Sequence, residues 1–227
     1  MFMLKFFLDT ASIDQIIFWK KFGLVNGVTT NPTLLSKEGS DSIKTIKEIC
    51  KIVNGDVSAQ VTKHDAKNMI EQAKFLKSIH KNIVIKLPCT LTGIEVAQIL
   101  AKKKFKLNIT LGFDPAQLSV FKDINITYFS FIIGRVEDFG ESNIENIPIL
   151  KSMIKKLNPK IKFLAASIRN STQLLSAATN GADVITVPPS TWEKIYKNKF
   201  TIDGEKSFKE SWEKLPISIR NKYEAKK

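Results

Sequence analysis

Ala66-Lys67-Asn68-Met69-Ile70-Glu71-Gln72-Ala73-Lys74-Phe75-Leu76-Lys77-Ser78-Ile79 is followed, after a short gap, by Ile83-Val84-Ile85-Lys86-Leu87-Pro88. In the first segment Ala66, Met69, Ala73 and Leu76 recur at helical spacing, while Lys67, Lys74 and Lys77 point elsewhere. The second is a short, nearly continuous apolar run. Such runs suit strands covered on both faces, as in a parallel sheet, rather than strands with one wet face. Helix and strand therefore alternate here with almost no connection between them.

The same rhythm extends in both directions. Strand-like runs fall at 4–8, 27–30, 57–61, 83–87, 107–111, 128–133, 163–166 and 184–187. Amphipathic stretches lie at 13–18, 66–79, 94–103, 144–156, 172–179 and 191–196. Asp65, Thr92, Ser171 and Ser190 stand where helix caps belong, and Pro148 marks a first turn. Pro159 and Gly181 supply stop signals. Eight strands and about eight helices in 227 residues predict right-handed βα units closed into a single α/β (β/α)8 TIM barrel. An open doubly wound sheet remains the alternative. Gly23-Leu24-Val25-Asn26-Gly27 does not supply the glycine-rich dinucleotide turn such a sheet often carries. The barrel is expected over 1–202. An extra C-terminal helix at 204–215, with Phe208 and Trp212 on one face, and a basic tail fill 203–227.

Composition narrows the function classes. Apolar residues make up 43% and charged residues 25%, which excludes a disordered chain. Cys50 and Cys89 cannot build a disulfide framework or a four-cysteine zinc site, and His64 and His80 cannot form a histidine-rich metal centre. The net charge is +13. The lysines are scattered, and no helix-turn-helix, RNP-like or zinc-finger pattern accompanies them, so no nucleic-acid partner is expected. The charge reads as a solvated surface with a share left for anionic small substrates. No apolar run is long enough to cross a membrane. The apolar start lacks a small-residue cleavage site, so it reads as a strand and the cytoplasm is expected.

In a barrel of this kind the reacting groups sit at the carboxyl ends of the strands. Lys86 is the sharpest candidate there. An ammonium among apolar neighbours is poorly solvated, its pKa falls, and the neutral amine becomes a nucleophile for Schiff-base chemistry. The competing accounts are a carboxylate partner or a side chain snorkelling outward. Asp9 ends the first strand as an acid/base candidate or a helix cap. Arg135, Arg169 and Ser167 together suggest a phosphate cradle, against surface ion pairs such as Arg135 with Glu137 or Asp138. Cys89 reads as packing, His64 and His80 as surface, and Trp192, Phe208 and Trp212 as packing or interface residues.

Seven motifs together resemble the transaldolase family, in particular its small members and the related fructose-6-phosphate aldolases. They are Leu8-Asp9-Thr10-Ala11, Gly27-Val28-Thr29-Thr30-Asn31-Pro32-Thr33, Ala59-Gln60-Val61, Ile83-Val84-Ile85-Lys86-Leu87-Pro88, Leu107-Asn108-Ile109-Thr110-Leu111, Gly134-Arg135 and Ala165-Ala166-Ser167-Ile168-Arg169. The resemblance implies a Schiff-base Lys86, an acid/base Asp9, and a catalytic water held by Gln60 and Thr110. It implies substrate contacts from Asn31, Asn108, Ser130, Arg135, Ser167 and Arg169. It also implies transfer of a dihydroxyacetone unit between sugar phosphates in the pentose phosphate pathway, with no metal or organic cofactor. A pentameric or decameric homo-oligomer, with the C-terminal helix reaching a neighbour, is implied as well. A fructose-6-phosphate aldolase that frees dihydroxyacetone is the alternative. Three departures stand out: Gly112-Phe113-Asp114 after strand five, Phe131 in place of a proline, and Ile132 in place of an aromatic residue. The aldolase branch has a proton-transferring tyrosine where Ile132 stands.

Overall fold

A computed structural model of the protein describes residues 4–39 and 41–224. Eight parallel strands close in sequential order: β1 (Lys5–Asp9), β2 (Gly27–Thr29), β3 (Val57–Gln60), β4 (Ile83–Pro88), β5 (Leu107–Gly112), β6 (Tyr128–Ile132), β7 (Lys162–Ala166) and β8 (Val184–Val187). The closure of β1 on β8, with Phe7 opposite Thr186, removes the open doubly wound sheet from consideration. Around the strands run α1 (Ile13–Lys20), α2 (Pro32–Lys37), α3 (Ser42–Ile52), α4 (Ala66–Ile79), α5 (Leu91–Lys102), α6 (Asn146–Leu157) and α7 (Ser171–Thr179). The chain continues through α8 (Pro189–Tyr196), α9 (Lys199–Glu213) and α10 (Ile217–Tyr223).

Side chains alternate across each strand with a period of two, so one set fills the barrel and the other meets the helices. The lower interior is a cluster of Phe7, Val84, Tyr128, Leu164 and Val184, extended upward on β6 and β7 by Ile132 and Ala166. Phe7 and Tyr128 meet edge to face at 5.8 Å. Gly27 is required by this packing, because a Cβ there would fall 2.5 Å from the Phe7 ring. Phe131 points the other way and meets Phe163 at 6.4 Å, which accounts for an aromatic residue on that outward face.

The helices depart from expectation in instructive ways. The amphipathic stretches of the sequence do not include 32–37 or 42–52, where α2 and α3 form. α3 is nevertheless capped by Asp41, whose Oδ1 accepts from Ile43 N at 2.8 Å, and it buries Thr45, Ile46, Ile49 and Cys50. Thr90, not Thr92, caps α5, and Asn170, not Ser171, caps α7. The β5–β6 connection is a 3-10 turn, Pro115–Phe121, rather than a full helix. Asp114 starts it: its Oδ1 accepts from Ala116 N, while Gln117 Oε1 accepts from Asp114 N. Asp114 is thus explained as a cap.

The chain divides into two compact units, Met1–Thr191 and Trp192–Lys227. Within the second unit Trp212 packs edge to face on Tyr223 at 4.9 Å, and its Nε1 donates to Glu224 Oε1. Phe200, Phe208, Ile217 and Tyr223 are exposed. No helix among the described residues is long and apolar enough to cross a membrane.

Candidate active site

At the carboxyl ends of the strands lies a cavity of about 290 Å³. Lys86 enters it from β4, on the same inward face as Val84 one pleat below. The side chain is buried, and Nζ donates to the Thr30 carbonyl at 3.1 Å. Among the described residues Lys86 forms no ion pair. Burial holds its amine below the ordinary lysine range; the Asp9 charge opposes this and the Arg135 charge reinforces it. Neither competing account fits, since Lys86 is neither locked to a carboxylate nor turned out to solvent. A cool, dry amine facing a cavity can attack a carbonyl carbon.

Asp9 does not cap α1. The cap position is Ser12, whose N–H donates to Thr10 Oγ1. The Asp9 carboxylate instead lines the cavity and accepts from Thr29 Oγ1 at 2.6 Å. Thr29 Oγ1 lies 2.6 Å from Thr186 Oγ1 as well. A hydroxyl has one proton, so Thr29 giving its proton to Asp9 requires Thr186 to donate to Thr29. The relay Thr186–Thr29–Asp9 fixes the carboxylate while leaving its second oxygen available. Thr29 belongs to one of the motifs quoted from sequence, without a role of its own, and Thr186 to none of them. The available signal was a polar residue interrupting two short apolar strands.

On the opposite wall β5 carries a bulge. Its register against β6 shifts between Ile109 and Gly112, and Leu111 adopts φ +63°. A non-glycine residue in the left-handed region is uncommon and costs free energy, and bulges of this kind re-aim neighbouring side chains. Thr110 and Leu111 both reach the cavity there. At the end of β7 Ser167 has φ +61°, so β6 is bracketed by two left-handed residues. Gln60 pairs in register with Lys86 and also lines the cavity. Asn31 faces it too, although its Oδ1 is spent on Leu34 N at the start of α2. Ser130 lines the cavity and donates to Asn108 Oδ1, whose Nδ2 donates to Ser58 Oγ. Asn108 is fully buried in that row and does not reach the cavity surface.

Arg135 and Arg169 part company. Arg135 heads a 3-10 turn, Arg135–Phe139, and lines the cavity beside Ser167. Gly134 permits this, because a Cβ there would fall 2.3 Å from the Ser167 carbonyl, to which its own N–H donates. Arg169 does not line the cavity. Its guanidinium grips Asp138 with both Nη groups and holds that carboxyl below its usual range. The surface ion pair considered for Arg135 is therefore made by Arg169. Of the ten residues singled out from sequence, eight meet at one cavity, and Asn108 and Arg169 stand behind it. Ile132 completes the wall without a polar atom. Burial pushes the Cys89 thiol up to about 11, which suits packing. Among the described residues no cluster of three or more His, Cys, Asp or Glu side chains could hold a metal ion.

Comparisons with known proteins bear on this arrangement. Residues 6–225 match the family model described as transaldolase/fructose-6-phosphate aldolase. A probable transaldolase of Caldicellulosiruptor saccharolyticus is 40% identical over 214 residues, covering 94% of this chain and 99% of the relative. Probable transaldolases of Clostridioides difficile and Methanococcus maripaludis are each 39% identical, covering 95% and 92% of this chain and 100% and 98% of theirs. The crystal structure of 3-hexulose-6-phosphate synthase from Salmonella typhimurium shares the fold, with a TM-score of 0.58 at 19% identity, covering 82% of this chain and 88% of that one. The chain belongs to the transaldolase/fructose-6-phosphate aldolase family.

Proposed function

We propose that the protein is a transaldolase working through a Schiff base on Lys86. The neutral Nζ attacks the C2 carbonyl of a ketose phosphate, sedoheptulose 7-phosphate or fructose 6-phosphate, and water leaves to give an iminium. That cation is an electron sink. Asp9 takes the proton of the C4 hydroxyl, the C3–C4 bond breaks, and its electrons form an enamine on Lys86 while an aldose phosphate departs. The enamine carbon attacks the aldehyde of a second aldose phosphate, and Asp9 returns the proton. Water held between Gln60 and Thr110 then hydrolyses the iminium and frees Lys86. The observation carrying this reading is the buried amine of Lys86, in no ion pair among the described residues, at a cavity shared with the anchored Asp9.

Asn31 and Ser130 face the sugar hydroxyls, with Asn108 holding Ser130 in place. Arg135 and Ser167 take the phosphate, and Arg169 joins them by leaving Asp138. Transfer is favoured over release of free dihydroxyacetone because Ile132 brings no proton donor to the cavity wall. We place the reaction in the pentose phosphate pathway of the cytoplasm. The proposed assembly is a pentameric or decameric homo-oligomer, supported by the exposed apolar residues of α9 and α10.

Borohydride trapping tests the chemistry. Incubation with fructose 6-phosphate and borohydride should add a reduced three-carbon or six-carbon adduct to the peptide containing Lys86. Lys86→Met should remove it. An adduct of equal yield in that variant would place the Schiff base elsewhere. A coupled assay comparing free dihydroxyacetone with transfer to erythrose 4-phosphate separates the two activities.

A further inference from the structure

The strand order places β1 across the barrel from β5, and β2 across from β6. The cavity at the strand ends therefore has two unlike sides. Asp9, Thr29 and Thr186 supply hydrogen-bonding groups on one of them. Leu111, Ile132 and Ala166 face them from β5, β6 and β7, three consecutive strands. Ser130, one pleat below Ile132, has spent its proton on Asn108. Leu111 reaches this side only through its backbone. Side chains alternate along a strand, so with Thr110 facing the cavity the next residue should face the helices. The left-handed φ of +63° at Leu111 turns it inward, and Thr110 and Leu111 both line the cavity. Ala166 and Ser167, with φ +61° at Ser167, repeat the arrangement on β7. Glycine adopts this conformation without steric penalty. Yet the left-handed position holds leucine, and glycine stands beside it at 112, where φ is not left-handed. Gly112 meets a different need, because a Cβ there would fall 2.7 Å from the Phe129 ring.

Leucine held at a strained turn inside a cavity points to a use for its side chain. An enamine on Lys86 is planar and must wait for an acceptor aldehyde. If its C3 carbon first takes a proton, from Asp9 or through water, the iminium re-forms. Water then adds to C2 and the C2–N bond breaks. Neutral Lys86, free dihydroxyacetone and the proton taken up in forming the iminium are released. An ordered water needs polar partners, and the side chains of Leu111, Ile132 and Ala166 offer none. We infer that Leu111 is a specificity-determining residue: its hydrocarbon keeps water off the enamine face turned away from Asp9 and so favours transfer over release. This role rests on the Schiff base proposed above.

Cleavage of fructose 6-phosphate, followed both as free dihydroxyacetone and as transfer to erythrose 4-phosphate, tests this in the parent and in Leu111→Asn, Leu111→Gly and Leu111→Met. Asparagine tolerates the left-handed turn and brings polar atoms. Glycine tolerates it and opens the wall, whereas methionine keeps the hydrocarbon. Release relative to transfer should rise about tenfold in Leu111→Asn, rise less in Leu111→Gly, and stay within about twofold of the parent in Leu111→Met. The ratio does not depend on how much of a variant is folded, so a merely structural role would leave it unmoved. Borohydride should trap an adduct on Lys86 in all four proteins. A parent-like ratio in Leu111→Asn overturns the role of Leu111 and leaves the Schiff base in place; should that variant lose all activity, Leu111→Gly decides by the same criterion. Loss of all activity in both, or a shift in Leu111→Met as large as in Leu111→Asn, overturns it equally. Absence of a Lys86 adduct in the parent overturns the Schiff base and this role together.

Discussion

Phe7, Val84, Tyr128, Leu164 and Val184 fill the lower half of the barrel interior. Two residues further along the same five strands stand Asp9, Lys86, Ser130, Ala166 and Thr186, and all five line the upper cavity. Nothing in the backbone separates the two layers except one pleat step of about 6.6 Å. The lower layer is apolar and closely packed, and it holds the barrel rigid. Four of the five positions above it are polar, and they meet around empty space. The lower layer also sets the chemistry of the upper one, because an amine resting on packed hydrocarbon has little water to solvate its charge. Stability and reactivity are therefore built from consecutive positions on shared strands.

Substitutions that exchange the properties of the two layers test this division. Lys86→Met carries the largest effect. Transfer activity should fall on the order of 10⁴-fold or more in a coupled assay. The melting temperature should hold or rise at neutral pH, because a poorly solvated amine gives way to an apolar chain of similar length. A variant that melts lower and keeps measurable transfer would break the comparison. Phe7→Ala acts in the opposite sense. It should cost about 3–5 kcal/mol in denaturant titration by opening a cavity against Gly27 and Tyr128, while the folded fraction still traps a borohydride adduct. Thr29→Val, in the upper layer beside Asp9, should cost about 1–3 kcal/mol by orphaning hydrogen-bonding partners. It should also slow turnover about tenfold by freeing Asp9 to rotate; unchanged kcat would remove the threonine relay from the account.

The smallest expected effect is a slope with pH. The folded pKa of Lys86 lies below its unfolded value of 10.5, so between the two the unfolded chain binds the extra proton. The parent's stability therefore rises with pH across that window. Lys86→Met lacks this slope. Its stability relative to the parent should be greatest below the window and shrink as pH approaches 10.5. Urea titrations of the two proteins across that range measure the difference, and parallel curves would contradict it.

The strands were legible because burial on both faces leaves a continuous apolar signature: the run at 184–187 coincides with β8, and the run at 83–87 stops one residue short of β4. The helix α3 was hidden by Lys44, Lys47 and Lys51 interleaved with its buried positions, although Asp41 and the Ile46–Ile49 spacing were there to read. Lys86 and Asp9 could be found because polar groups at the ends of apolar strands are conspicuous. Arg169 and Asn108 could not be placed by the same logic. Whether a strand-end side chain enters the cavity depends on its partners: Asp138 draws Arg169 aside, and Ser58 and Ser130 hold Asn108 below. The left-handed turns at Leu111 and Ser167 carry no sequence mark at all, since both residues usually avoid that conformation.

The rate of borohydride-trapped adduct formation with fructose 6-phosphate, followed across pH, tests the central claim most directly. Neutral Lys86 predicts a single rise whose midpoint lies well below 10.5, with all of the adduct on the peptide containing Lys86. A rate still climbing as pH nears 10.5, or an adduct on another lysine, would contradict an amine kept uncharged by the hydrocarbon beneath it.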